Sequence, residues 1–96
     1  MELTIFGRFH VKTGCEDDML AALADVAGPT RAEAGCLAYQ SYRSIRDPFL
    51  FYVNSRWIDE AAFELHASLD HTTRFIRRVE ELADQPLEVT RARLAL

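Results

Sequence analysis

The chain has 96 residues, 49% of them hydrophobic and 27% charged, a length for one domain at roughly 100–200 residues each and a composition that excludes intrinsic disorder. Its 11 basic and 15 acidic residues leave a formal net charge of −4, the wrong sign for displacing counterions from nucleic acid or for attraction to anionic lipid. The longest apolar run, Phe49-Leu50-Phe51-Tyr52-Val53, falls far short of the ~18 residues that mark a membrane span, so neither nucleic acid nor membrane is expected as a partner.

The first residues, Met1-Glu2-Leu3-Thr4-Ile5, lack the basic start and long apolar stretch of an export signal, and a cytoplasmic location is expected. Leu3, Ile5, Phe9 and Val11 share one parity, with Thr4, Arg8, His10 and Lys12 on the other. That alternation predicts a strand with one buried face, although Phe6 is apolar on the polar side. Thr13-Gly14 ends it. Met19, Leu20, Leu23, Ala24 and Ala27 then recur at helical spacing behind an acidic start, Glu16-Asp17-Asp18, suited to the positive end of a helix dipole. Gly28-Pro29 is expected to end or kink this helix.

Cys36 to Ser44 reads as a second strand and Phe49 to Trp57 as a third, joined by Ile45-Arg46-Asp47-Pro48 as a hairpin loop. The third strand is apolar on both parities, the pattern of a strand covered on both sides. Asp59 is the expected N-cap of a helix carrying Ala61, Ala62, Leu65 and Leu69. Ser68-Leu69-Asp70 suggests a break, after which Phe75, Ile76, Val79 and Leu82 form a second stripe ended by Gln85-Pro86. Leu87 to Leu96 reads as a final strand.

The order β-α-β-β-α-β predicts an α+β ferredoxin-like sandwich over residues 1–96, with one four-stranded antiparallel sheet and its helices on one face. Helices on one side leave Phe6, Leu50, Tyr52 and Leu94 without cover. Exposing such a side chain forgoes roughly 1.5–3 kcal/mol relative to burial. A homodimer through the bare sheet face is therefore expected, with an interface of about 1,600 Å² or more. The alternative is that these residues are scattered singly and need no partner.

The chemistry-bearing residues are few. Cys15 and Cys36 lack a metal or redox spacing and are expected to remain half-buried thiols. His10 falls on the polar side of its strand. His66 and His71 would lie about 140° apart on a continuous helix and could not share a metal as an i, i+4 pair does. If the helix breaks between them, both rings can reach one cavity. Trp57 could line that cavity or close the core, and Tyr39 and Tyr52 could add aromatic walls. Asn54, polar within an apolar strand, could point into a pocket or mark a bulge. No phosphate loop or nucleophile elbow appears, and no cofactor is expected.

Trp57-x-Asp59-x-x-Ala62-x-x-x-His66, followed by Ser68, His71 and Phe75, resembles the signature of the antibiotic biosynthesis monooxygenase domain family. Glu33-x-Gly35-Cys36-x-x-Tyr39, Val11-Lys12-Thr13-Gly14 and Asp47-Pro48 resemble its other motifs in the same order. The resemblance implies a dimeric α/β barrel and a cofactor-free oxygenase of small phenolic or quinol-type substrates. In that reading His66 or His71 is the candidate catalytic base, while Trp57, Asn54, Tyr39 and Tyr52 contact a small aromatic ligand. Ser55 stands where the family often has Glu, so no role for that carboxylate carries over, and the residues of the haem-degrading branch are missing. The alternatives are a non-catalytic dimeric small-molecule-binding protein and an isomerase-type proton-transfer enzyme on the same scaffold.

Overall fold

A computed structural model describes residues 1–96. The elements run β1 (Leu3–His10), α1 (Glu16–Arg31), β2 (Cys36–Arg43), β3 (Leu50–Trp57), α2 (Glu60–Ser68), α3 (Asp70–Leu82) and β4 (Glu88–Ala92). They make an open four-stranded sheet in the order β2-β3-β1-β4, antiparallel throughout. This is the α+β ferredoxin-like architecture expected from the periodicities.

Local chemistry explains most boundaries. Gly14 adopts φ +90°, a left-handed conformation that turns the chain out of β1 at no Cβ cost. The Asp59 side chain caps α2 by accepting from the Ala62 N–H at 2.8 Å. In the β2–β3 hairpin Ser44 Oγ accepts from the Asp47 N–H, and Asp47 Oδ1 accepts from the Phe49 N–H.

Two boundaries differ from the sequence expectation. Helix α1 runs through Gly28-Pro29 to Arg31. Proline in a last turn removes only one helical N–H, and the turn is held by Ala32 N–H to Gly28 O and Glu33 N–H to Thr30 O. The Arg31 guanidinium then donates twice to the Tyr39 carbonyl, at 3.0 and 2.8 Å, tying the helix end to β2. The final strand is shorter than expected and stops at Ala92, paired with Thr4. Beyond that pair β1 offers only Leu3, so Leu94 and Leu96 lie outside the sheet and exposed.

The strand alternation separates two faces. Leu3, Ile5 and Phe9 of β1 and Phe51, Val53 and Trp57 of β3 point under the helices, into a core with Met19, Leu23, Val26, Phe75, Val79 and Leu82. The other face carries Phe6 at 53%, Tyr42 at 51% and Tyr52 at 40% exposure around a shallow depression. No helix of this structure is long and apolar enough to cross a membrane.

A histidine clamp fastens the end of β1. His10 Nδ1 lies 2.6 Å from Asp84 and Nε2 lies 3.1 Å from Asp47. The Asp84 hydrogen bond, aided by Asp47, raises the His10 pKa above its ordinary 6.5 despite the opposing cost of desolvation. Folding therefore favours the protonated ring. Its contribution is complete below about pH 6.5 and is lost as pH rises through the folded value. The stability gap between wild type and His10→Asn should narrow in urea melts run from about pH 6 to about pH 9. A constant gap would show that the clamp is not ionic.

Candidate active site

The helix break decides where the two histidines go. His66 lies in the last turn of α2, Leu69 is extended with ψ 151°, and α3 starts at Asp70. Leu69 still connects the two helices, since its N–H donates to His66 O and its carbonyl accepts from Thr72 and Thr73. With the continuous helix interrupted, the imidazoles converge to a centroid separation of 6.0 Å.

Between them stands Glu33, from the segment after α1. One oxygen, Oε2, lies 2.7 Å from His66 Nδ1 and 2.8 Å from His71 Nε2. A carboxylate can only accept here, so both ring nitrogens donate to it. Thr72 Oγ1 also approaches His66 Nδ1, at 3.2 Å. The partners of the His66 ring thus engage Nδ1, and in the neutral imidazole Nε2 is the unprotonated nitrogen. Nε2 is neither hydrogen-bonded nor fully enclosed.

His66 is 6% exposed. Burial lowers its pKa below 6.5, only partly opposed by the hydrogen bond and charge of Glu33, and the nearby His71 lowers it further. A neutral imidazole at pH 7 follows. The Trp57 indole packs on this ring at 4.6 Å between centroids and 35° between planes, while its Nε1–H donates to Ser55 Oγ at 3.0 Å. Gly35 lets α2 sit this close, because a Cβ there would stand 2.4 Å from that of Ala62.

His66 lines a cavity of about 270 Å³ between the sheet and helices α2 and α3. Ile5, Phe9, Val53, Phe75, Ile76 and Val89 give it apolar walls, and Tyr39, Ser55 and Thr72 add polar groups. Gly7 also borders it, where a Cβ would come within 3.1 Å of the Phe9 ring. Burial pushes the Tyr39 phenol up to about 12, so its hydroxyl keeps a proton to donate. Ligand pockets for drug-sized molecules span roughly 300–1,000 Å³, so this one suits a compact ligand of one or two rings.

The expected site residues divide between surfaces. His66 and Tyr39 border the cavity. Trp57 is fully enclosed one layer behind, touching it through His66. His71 faces a larger groove of about 640 Å³ between α1 and α3, lined with Asp18, Asp25, Arg74 and Arg78. Tyr52 and Asn54 lie on the opposite face of the sheet, where they border the shallow depression with Phe6. Strand alternation requires this, since residues 52 and 54 have the parity opposite to 53, 55 and 57. The irregularity in the sheet lies between Cys36 and Ala38, not at Asn54.

Glu33 is the charged site residue that the sequence did not single out. It opens the Glu33-x-Gly35-Cys36 string, but nothing in spacing ties it to histidines 33 and 38 positions away. Glu33, His66 and His71 each offer a ligand atom within 4.8 Å of the others. A cation bound at about 2.1 Å from imidazole nitrogens would have to open both carboxylate–imidazole hydrogen bonds.

The family model described as antibiotic biosynthesis monooxygenase matches residues 3–78. Among curated sequences, YcnE of Bacillus subtilis, named as a proposed monooxygenase, is 28% identical over 88% of this chain and 90% of its own length. Rv0793 of Mycobacterium tuberculosis, named likewise, is 28% identical over 92% of this chain and 86% of its own. The Rv0793 structure superposes with a TM-score of 0.92 at 26% identity, covering 98% of this chain and 95% of that one. PA3566 of Pseudomonas aeruginosa superposes at 0.88 with 34% identity, covering 98% and 95%.

Proposed function

The chain belongs to the antibiotic biosynthesis monooxygenase family, and on that premise we propose that it is a cofactor-independent monooxygenase of small phenolic or quinol-type substrates, with His66 as general base. One observation carries the reading. A buried, neutral imidazole with its free nitrogen unprotonated lines an apolar cavity of one- or two-ring size.

The chemistry follows from what dioxygen requires. Ground-state oxygen is a triplet and reacts slowly with closed-shell molecules, but an electron-rich phenolate can pass it one electron. His66 Nε2 takes the phenol proton, and Tyr39 hydrogen-bonds a substrate oxygen. Electron transfer and recombination at a ring carbon give a peroxide anion, which takes back the proton held on His66. Loss of the proton on that carbon with cleavage of the O–O bond leaves the quinone carbonyl. The departing hydroxide and that proton make water. One phenol and one dioxygen become one quinone and one water. The apolar walls hold the ring and limit water around the phenolate. Oxygen uptake with a panel of quinols, without added metal or flavin, tests the reading. Absence of uptake across mono- and bicyclic quinols would overturn it.

The assembly belongs to the same proposal. A second copy covers the open sheet face, where Phe6, Tyr42 and Tyr52 form an apolar centre. Arg8, bonded to Gln85, and Arg56, paired with Glu2, supply polar neighbours, the usual anatomy of a protein interface. Tyr52 and Asn54 then serve the contact between copies, not the cavity. The reducing cytoplasm is the proposed setting, where Cys15 and Cys36, both free, stay thiols. Sedimentation at micromolar concentration should give twice the 10.9 kDa chain mass, and Phe6→Glu should shift it toward one. A wild-type monomer under those conditions would remove the paired assembly.

A further inference from the structure

The oxygen Glu33 Oε2 is shared by two imidazoles that open on different surfaces. His66 lines the apolar cavity, and His71 lines the charged groove between α1 and α3. We propose that His71 is a positioning residue for His66, acting through the Glu33 oxygen they share, so that ionisation in the outer groove is transmitted to the base in the cavity. The inference rests on the reading of His66 as base.

The geometry makes the two rings competitors. A neutral His71 donates one ordinary hydrogen bond and leaves most of the carboxylate charge to support an imidazolium at His66. A protonated His71 forms an ion pair with the same oxygen and places a like charge close to His66, so His66 binds its proton less readily. His71 is the more accessible of the two rings, with a side chain 17% accessible against 8% for His66. The charged and titratable groups around it are Glu33 beside α1, His66 on α2, Asp18 and Asp25 on α1, and Arg74 and Arg78 on α3. Arg78 is itself engaged with Asp18 and Glu81. Burial, the dominant influence on His66, keeps it neutral, and the opposing pulls of Glu33 and His71 act on top of that.

The test reads the His66 ring directly, by NMR titration of the ligand-free protein. His71→Gln keeps an amide N–H for Glu33 but cannot ionise, and the His66 midpoint should rise relative to wild type. Glu33→Gln should lower it. In the Glu33→Gln background, adding His71→Gln should move the midpoint less than it does alone, because only the direct repulsion between the two rings remains. An unchanged His66 midpoint in His71→Gln would overturn the proposal, as would an undiminished shift without the Glu33 charge. His71→Asn, with a shorter amide, supplies the same comparison if Gln disturbs α3. The readout involves no turnover, so its failure is distinct from failure of the base assignment, which the turnover of His66 variants decides.

Discussion

His66→Gln should reduce quinol-dependent oxygen uptake by about 10²–10⁴-fold, the range that a positioned general base contributes. Glutamine retains polar volume and an amide N–H for Glu33, so the Glu33–His71 contact and the capped helix α2 stay in place. What it lacks is a nitrogen able to take a proton at neutral pH. The loss should therefore fall on kcat, with KM little changed, because the apolar walls that hold the ring are untouched. The pH profile gives a second check. The His66 pKa is lowered by burial, so the base form is already dominant at pH 7, and the acidic limb of the wild-type profile should lie below pH 6.5. An oxygen electrode measures both. Turnover by His66→Gln at the wild-type rate would eliminate His66 as the base and leave the cavity as a binding site.

Trp57→Ala should cost about 3–5 kcal/mol of stability, the usual range for truncating a buried aromatic ring. Trp57 is fully enclosed, packs edge-on against Phe63 at 5.8 Å and tilted against His66 at 4.6 Å, and joins Leu3 and Ile5 in the smaller core cluster. Its removal opens a void directly behind the His66 imidazole. Trp57→Phe refills most of that volume and gives up the indole N–H to Ser55 Oγ, so its loss should be smaller, about 1–2 kcal/mol. Urea melts with unchanged m-values measure both. A loss near zero for Trp57→Ala would mean that the neighbouring helix collapses freely onto the sheet and that the indole does not fix the His66 ring.

These two residues also mark how much of the site was legible along the chain. Trp57 is a strand residue at the expected parity, and its burial follows from alternation alone. The break at Ser68-Asp70 was visible as a second helix start, and it is what brings His66 and His71 together. Tyr39 and Tyr52 looked equivalent as aromatic wall residues, yet register places one in the cavity and the other on the open face. Pro29 looked like a helix stop. It is absorbed in a last turn whose end is secured from β2 by Arg31, a contact that no local signal announces.

The amino-acid sequence alone determined the order of the elements, the two-faced apolar character of β1 and β3, and the interruption between α2 and α3. Each depends on side chains a few positions apart, whose spacing along a helix or strand decides which way they point. Only the tertiary structure decided that Glu33 stands between two histidines, that His66 faces the cavity while His71 faces outward, and that Asn54 and Tyr52 lie on the other side of the sheet. Those facts depend on how α1, α2, α3 and the sheet pack together. A contact between a carboxylate and imidazoles 33 and 38 residues away exists only once the core has set the distance between their backbones.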